Sequence, residues 1–156
     1  MAGIPAPGRY WTGAAAALAA CLALANLPAV ADGADAREPP ALRGIMLDLD
    51  GARQAIADGI AREDWRAVAE AARRIAEHPQ PPLAEKMRIL AFVGSDAGRF
   101  RGYDRQAREA ARAIGKAARR QDRPAAAAAF AAMQDACIAC HATFRKPFQE
   151  RFPARR

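Results

Sequence analysis

Residues 122–148 read DRPAAAAAFAAMQDACIACHATFRKPF, and the fold class follows from how this stretch must be wound. Alanine is the strongest helix former, and Pro124 is tolerated in a first helical turn, where its missing N–H would have no partner anyway. Helical spacing then puts Phe130, Met133, Cys137, Cys140/His141, Phe144 and Phe148 on one stripe. Such a stripe must be covered by other elements.

The covering elements read as helices too. Outside the first 31 residues no segment alternates β-branched and aromatic side chains as a strand does, whereas Ala, Leu, Arg and Glu recur at helical spacing. After a polar lead-in over 32–40, a first helix is predicted from Ala41 to Ile60, with Leu42, Ile45, Met46, Leu49, Ile56 and Ile60 inward. Asp64 is placed to cap a second helix carrying Trp65, Val68, Ala72 and Ile75, which His78-Pro79 and Pro81-Pro82 end. A shorter piece from Leu83 to Val93 has Leu83, Met87 and Leu90 in register as core, before Gly94 and Gly98 break the chain. The next helix, Gly102 to Gln121, offers Tyr103, Ala107, Ala110, Ile114 and Ala117 as its buried line. The expectation is an all-α domain, an antiparallel four-helix bundle, in which a cofactor would sit between facing helices.

The N-terminus has a different character. Residues 1–31 hold one charge, Arg9, then an apolar run from Gly13 to Leu27 and the small triplet Ala29-Val30-Ala31. That layout is a secretory signal peptide cleaved after Ala31, leaving a mature domain of 32–156 in the periplasm. Leu18-Ala19-Ala20-Cys21 also looks like a lipoprotein box, although the apolar run continues past Cys21, and Asn26 and Pro28 interrupt a segment short for an anchor. Cleavage removes Arg9 and no acid, so the net charge of +7 falls to +6. The bases are spread along amphipathic helices without interleaved aromatics, which argues against a nucleic-acid surface.

Two cysteines then remain, Cys137 and Cys140, separated by two residues, with His141 next. Cys137-Ile138-Ala139-Cys140-His141 is the C-x-x-C-H pattern of covalent haem attachment. On a helix Cys137 and His141 are one turn apart on a shared face with Cys140 beside it, so two thioethers can hold one edge of a macrocycle while the imidazole reaches its iron. Other uses of these residues are a thioredoxin-like dithiol, which wants a preceding strand and a helix N-terminus, and a zinc clip, for which only His78 is left as a fourth ligand. A bare disulfide is the simplest of all.

With C-x-x-C-H near the C-terminus, continued as Ala142-Thr143-Phe144-Arg145 on the last helix of an exported all-α chain, the sequence resembles the class II cytochromes c, the cytochrome c-prime group. Its specific residues are Cys137, Cys140, His141, the aromatic Phe144 and the basic Arg145. The resemblance implies one covalent haem c, His141 as proximal iron ligand, and a first helix over the opposite haem face. Low-spin members supply a methionine there, and Met46 stands at that place; high-spin members leave the iron open to nitric oxide or carbon monoxide. Met46 also lies on an apolar stripe and can equally be core. Phe144 is placed to wall the haem, and Arg145 to meet a propionate or stand as an exposed charge. His78 reads as a solvated residue at a helix end, near the dipole.

The expected function is that of a one-electron carrier between periplasmic redox proteins, with His141/Met46 ligation. It is not an enzyme in the substrate-transforming sense, since no nucleophile–base pair, carboxylate dyad or phosphate loop is seen. Two haem propionates would lower its charge to about +4. Gas binding by an open iron is the second reading, and a structural helical domain with a Cys-Cys disulfide or metal clip the third. The resemblance also implies homodimers in many members. No stable membrane insertion is expected once the leader is gone.

Overall fold

The computed structural model describes residues 41–153. The expected leader (1–31) with Cys21, and the lead-in over 32–40, lie outside the described residues. Within them the chain is all-α: α1 (Ala41–Arg62), α2 (Trp65–Ala76), α3 (Leu83–Val93), a 3-10 turn (Gly94–Asp96), α4 (Ala97–Arg119) and α5 (Arg123–Arg151), with no strand among the described residues.

Two sharp corners are built the same way. At the end of α1, Glu63 takes a left-handed φ of 58°, and past the end of α4, Gln121 takes one of 54°. An aspartate follows each. Asp64 Oδ1 accepts from Ala67 N at 3.0 Å and Asp122 Oδ1 from Ala125 N at 3.0 Å, so the next helix starts capped as soon as the previous one is closed. Arg123 Nη1 lies 3.2 Å from Glu63 Oε1, which places both corners at one end of the molecule. At Gly59 a Cβ would come within 2.7 Å of Val68 Cγ2, so the missing side chain lets α2 fold back closely on α1.

The core lies among α1, α2, α4 and the first half of α5. Ala52 and Ile56 of α1, Val68, Ala72 and Ile75 of α2, Ala111, Ile114 and Ala118 of α4, and Met133 of α5 form one buried cluster. Alanine at so many of these positions brings helix axes close together. The interfaces α1/α2, α2/α4 and α4/α5 are extensive, whereas α1 and α5 meet at few points. By length and composition α5 could cross a membrane; here it covers α4.

Several expectations need correction. The helix after Gly94 begins at Ala97, not Gly102, because only Gly94 adopts a positive φ (54°) and Gly98 continues the helix. α5 runs to Arg151, through an exposed Pro147. On α3 the inward face is Glu85, Ile89 and Val93, while Leu83 is 75% and Met87 58% exposed, so neither is core. The helix is turned by Glu85, whose two carboxylate oxygens accept from Ala41 N (2.8 Å) and Leu42 N (2.9 Å).

Candidate functional site

Cys137, Cys140 and His141 all come from the middle of α5, where the helix is held on α4 by its aromatics. Phe144 is buried, its ring edge-on to Phe100 (5.3 Å) and Tyr103 (6.5 Å), with the Arg99 guanidinium 5.7 Å from its centroid. Thr143 Oγ1 donates to Ala139 O at 3.0 Å inside the motif. Phe144 thus fixes the rotation of α5 about its axis, and with it the direction of the cysteines one and two turns earlier.

Both cysteines are free and half-buried. Burial pushes the Cys137 thiol up, partly opposed by the Arg53 charge from α1 and a backbone hydrogen bond. Cys140 is pushed up to about 11, by burial first, then by the charges of Cys137 and Asp104. Both are therefore thiols at neutral pH and poor nucleophiles, unlike a catalytic dithiol. His141 is exposed, yet crowding by its neighbours, then the Arg145 charge, lowers its pKa. Its imidazole is kept neutral, the form that ligates metals.

The remaining residues singled out by sequence fall in two groups. Met46 of α1 is half-buried and Arg145 is exposed. Arg53, two turns after Met46 on the same side of α1, is near enough to act electrostatically on Cys137, and nothing in the sequence marked it. Met133 is fully buried in the core.

His78 departs from expectation. Only 9% of its side chain is exposed, and its Nε2 lies 3.1 Å from Asp104 Oδ1 and 3.0 Å from Arg108 Nη2, while its Nδ1 lies 2.8 Å from Ile75 O. The last contact keeps it at the end of α2, but packing against α4 removes it from solvent. Arg108 also donates to Ala76 O and His78 O and pairs with Asp104 at 3.0 Å. Burial raises the Asp104 pKa, but the hydrogen bonds from His78 and Arg108 and their charges prevail and hold it low. This cluster came from residues 26 to 30 positions apart, beyond the reach of any local pattern. Both nitrogens of the His78 ring are engaged, Nδ1 with Ile75 O and Nε2 with Asp104 and Arg108. Among the described residues no group of three or more His, Cys, Asp or Glu side chains converges.

Two surface depressions among the described residues lie elsewhere. A groove of about 1010 Å³ between α2 and α4 is lined by Trp65, Arg112 and Lys116 among others, and one of about 390 Å³ by Ile45, Leu49 and His78. Neither is lined by Met46, the cysteines or His141, and neither gathers convergent chemistry. Comparisons with protein-family models, with curated proteins and with solved structures found no match.

Proposed function

We propose that this chain is an exported one-electron carrier: a class II-type cytochrome c with a single haem joined to Cys137 and Cys140, His141 on one side of the iron and Met46 on the other. The observation that carries the reading is the C-x-x-C-H set as it stands on α5, two protonated, unpaired thiols and a neutral imidazole on a half-open face, with Arg53 of α1 acting on the first cysteine. This donor set fits a covalently attached haem. Bound there, haem supplies a one-electron ferric–ferrous couple.

The chain's own residues then have distinct tasks. Cys137 and Cys140 would hold the ring edge, their spacing set by the helix and their direction by the seat of Phe144 on α4. His141 offers an unprotonated nitrogen at pH 7. Met46 offers a soft thioether, which favours the reduced metal and raises the potential. We read the helices as an antiparallel four-helix bundle made of the α1–α2 and α4–α5 hairpins. The Glu63–Arg123 pair joins the end of α1 to the start of α5, which supports α1 and α5 running in opposite directions. In that arrangement, moving along α5 from Cys137 to His141 matches moving back along α1 from Arg53 toward Met46. Residues 1–31 would direct the chain to the periplasm, and its partners would be redox proteins there, with a second copy as a further one; it transforms no substrate.

The test is the absorption spectrum of the mature holoprotein, oxidised and reduced, with carbon monoxide added to the reduced form. A low-spin spectrum that the gas leaves unchanged, and that Met46→Ala converts to a gas-binding one, is the expected result. A high-spin spectrum that shifts with the gas would assign Met46 to packing and the protein to gas binding. Colourless protein with two titratable thiols, made beside haem-attachment machinery, would leave only a structural domain.

A further inference from the structure

The segment from Pro79 to Gly98 had no evident task in the sequence, yet α3 makes two specific attachments. At its start, Glu85 is the one buried charged residue among the described residues, at 8% exposure, and spends both oxygens on the first N–H groups of α1. At its end, Phe92 meets Phe148 of α5 edge-on at 6.1 Å and Phe152, just beyond α5, at 5.6 Å. Glu85 and Phe92 are seven residues apart, about 10 Å along a helix. One short helix, whose backbone lies nearest α4, therefore reaches the start of α1 and the end of α5 by single side chains, and those two helices meet each other directly at few points.

We propose that α3 is a brace between the start of α1 and the end of α5, and that Glu85 is a positioning residue which fixes the first turns of α1 and so holds Met46 where it could serve as the proposed ligand. The proposal rests on the His141/Met46 reading above. Burying a carboxylate is costly, and its cost is offset here because both oxygens take backbone donors that a helix start otherwise leaves without partners. An aromatic alone could pack α3 down. The carboxylate adds direction, because it bonds only if the start of α1 lies at one place. Met46 is about one turn beyond those two amides, so a first turn set free lets the thioether leave.

The experiment compares holoproteins: wild type, Glu85→Ala, Glu85→Gln, Phe92→Ala, and Leu83→Ala as an exposed control on the same helix. Carbon monoxide binding to the reduced protein is timed, and amide hydrogen exchange is followed over residues 41–46 and over α4. The expected result is that Glu85→Ala and Phe92→Ala stay red and folded but take up the gas roughly tenfold faster, the factor that matches loss of a helix cap. Glu85→Gln, which keeps one acceptor oxygen, falls between, and Leu83→Ala behaves as wild type. Exchange protection drops at 41–46 in Glu85→Ala and is unchanged in α4. Gas uptake as slow as wild type in every variant overturns the brace and leaves Met46 as ligand. If the wild type itself is high-spin, the Met46 reading falls. Exchange then decides the brace: unchanged protection of 41–46 in Glu85→Ala overturns it, and lost protection sustains it as a clamp on the start of α1.

Discussion

The α2–α4 interface and the α1–α5 interface are built to opposite ends. Between α2 and α4, alanines and Gly115 let the backbones come close, a Cβ on Gly115 would lie 3.9 Å from that of Ala72, and Ile114 and Val68 are fully buried. The pair is also tied at one end by His78, Asp104 and Arg108. Between α1 and α5 the direct contacts are few, and Met46 on α1 and Cys137 and Cys140 on α5 are each only half-buried. The first interface supplies the stability that the second forgoes, and a helical domain of this size can leave one seam loose because the other three are continuous.

Four substitutions would break or sharpen that contrast. Ile114→Ala removes a fully buried side chain from the tight seam and is expected to cost about 2–5 kcal/mol in chemical denaturation, against a small change for Met46→Ala in protein lacking haem. Equal losses at the two positions would mean that the seams do not differ. Gly59→Ala adds a Cβ 2.7 Å from Val68 Cγ2 and 3.3 Å from the Asp64 carbonyl oxygen. Overpacking of this kind costs about 1–3 kcal/mol, so the melting temperature should fall, and the spectrum expected of the proposed haem protein should not change. A spectral change would show that the α1–α2 corner and the proposed haem site are mechanically coupled.

The smallest effect is expected at Asp104. Its native pKa lies below the ordinary carboxylate value, because the hydrogen bonds and charges of His78 and Arg108 outweigh its burial. The carboxylate's contribution is therefore complete above the ordinary carboxylate range and is lost as pH falls through the lowered native value. Denaturation of wild type and Asp104→Asn across pH 2 to 7 should show wild type ahead at neutral pH and the gap closing on acidification. A gap independent of pH would mean that the Asp104 charge adds nothing to the α2–α4 tie.

Much of the molecule was legible in the chain. The all-α class, the bounds of α3, the cap at Asp64 and the proline stop after α2 depend on neighbours within a turn or two, so their signals sit in the sequence. The inward face of α3 is not legible in sequence, because Leu83, Met87 and Leu90 make a good apolar register while the deciding interaction joins Glu85 to amides 43 and 44 residues away. The burial of His78 is hidden for the same reason, since its partners Asp104 and Arg108 belong to another helix. Gly98 looks like a break because glycine weakens helices on average, although only a positive φ, as at Gly94, requires one.

What the amino-acid sequence by itself determined was local: helical winding, most of its punctuation, and the placing of two thiols and an imidazole within one turn of α5. Only the tertiary structure decided which helices press together and which stay apart, where the one buried carboxylate went, and that His78 left solvent. The physical reason is range. Backbone hydrogen bonds and side-chain spacing act over three or four residues, whereas burial and charge pairing are settled by whatever the rest of the chain brings within a few ångströms.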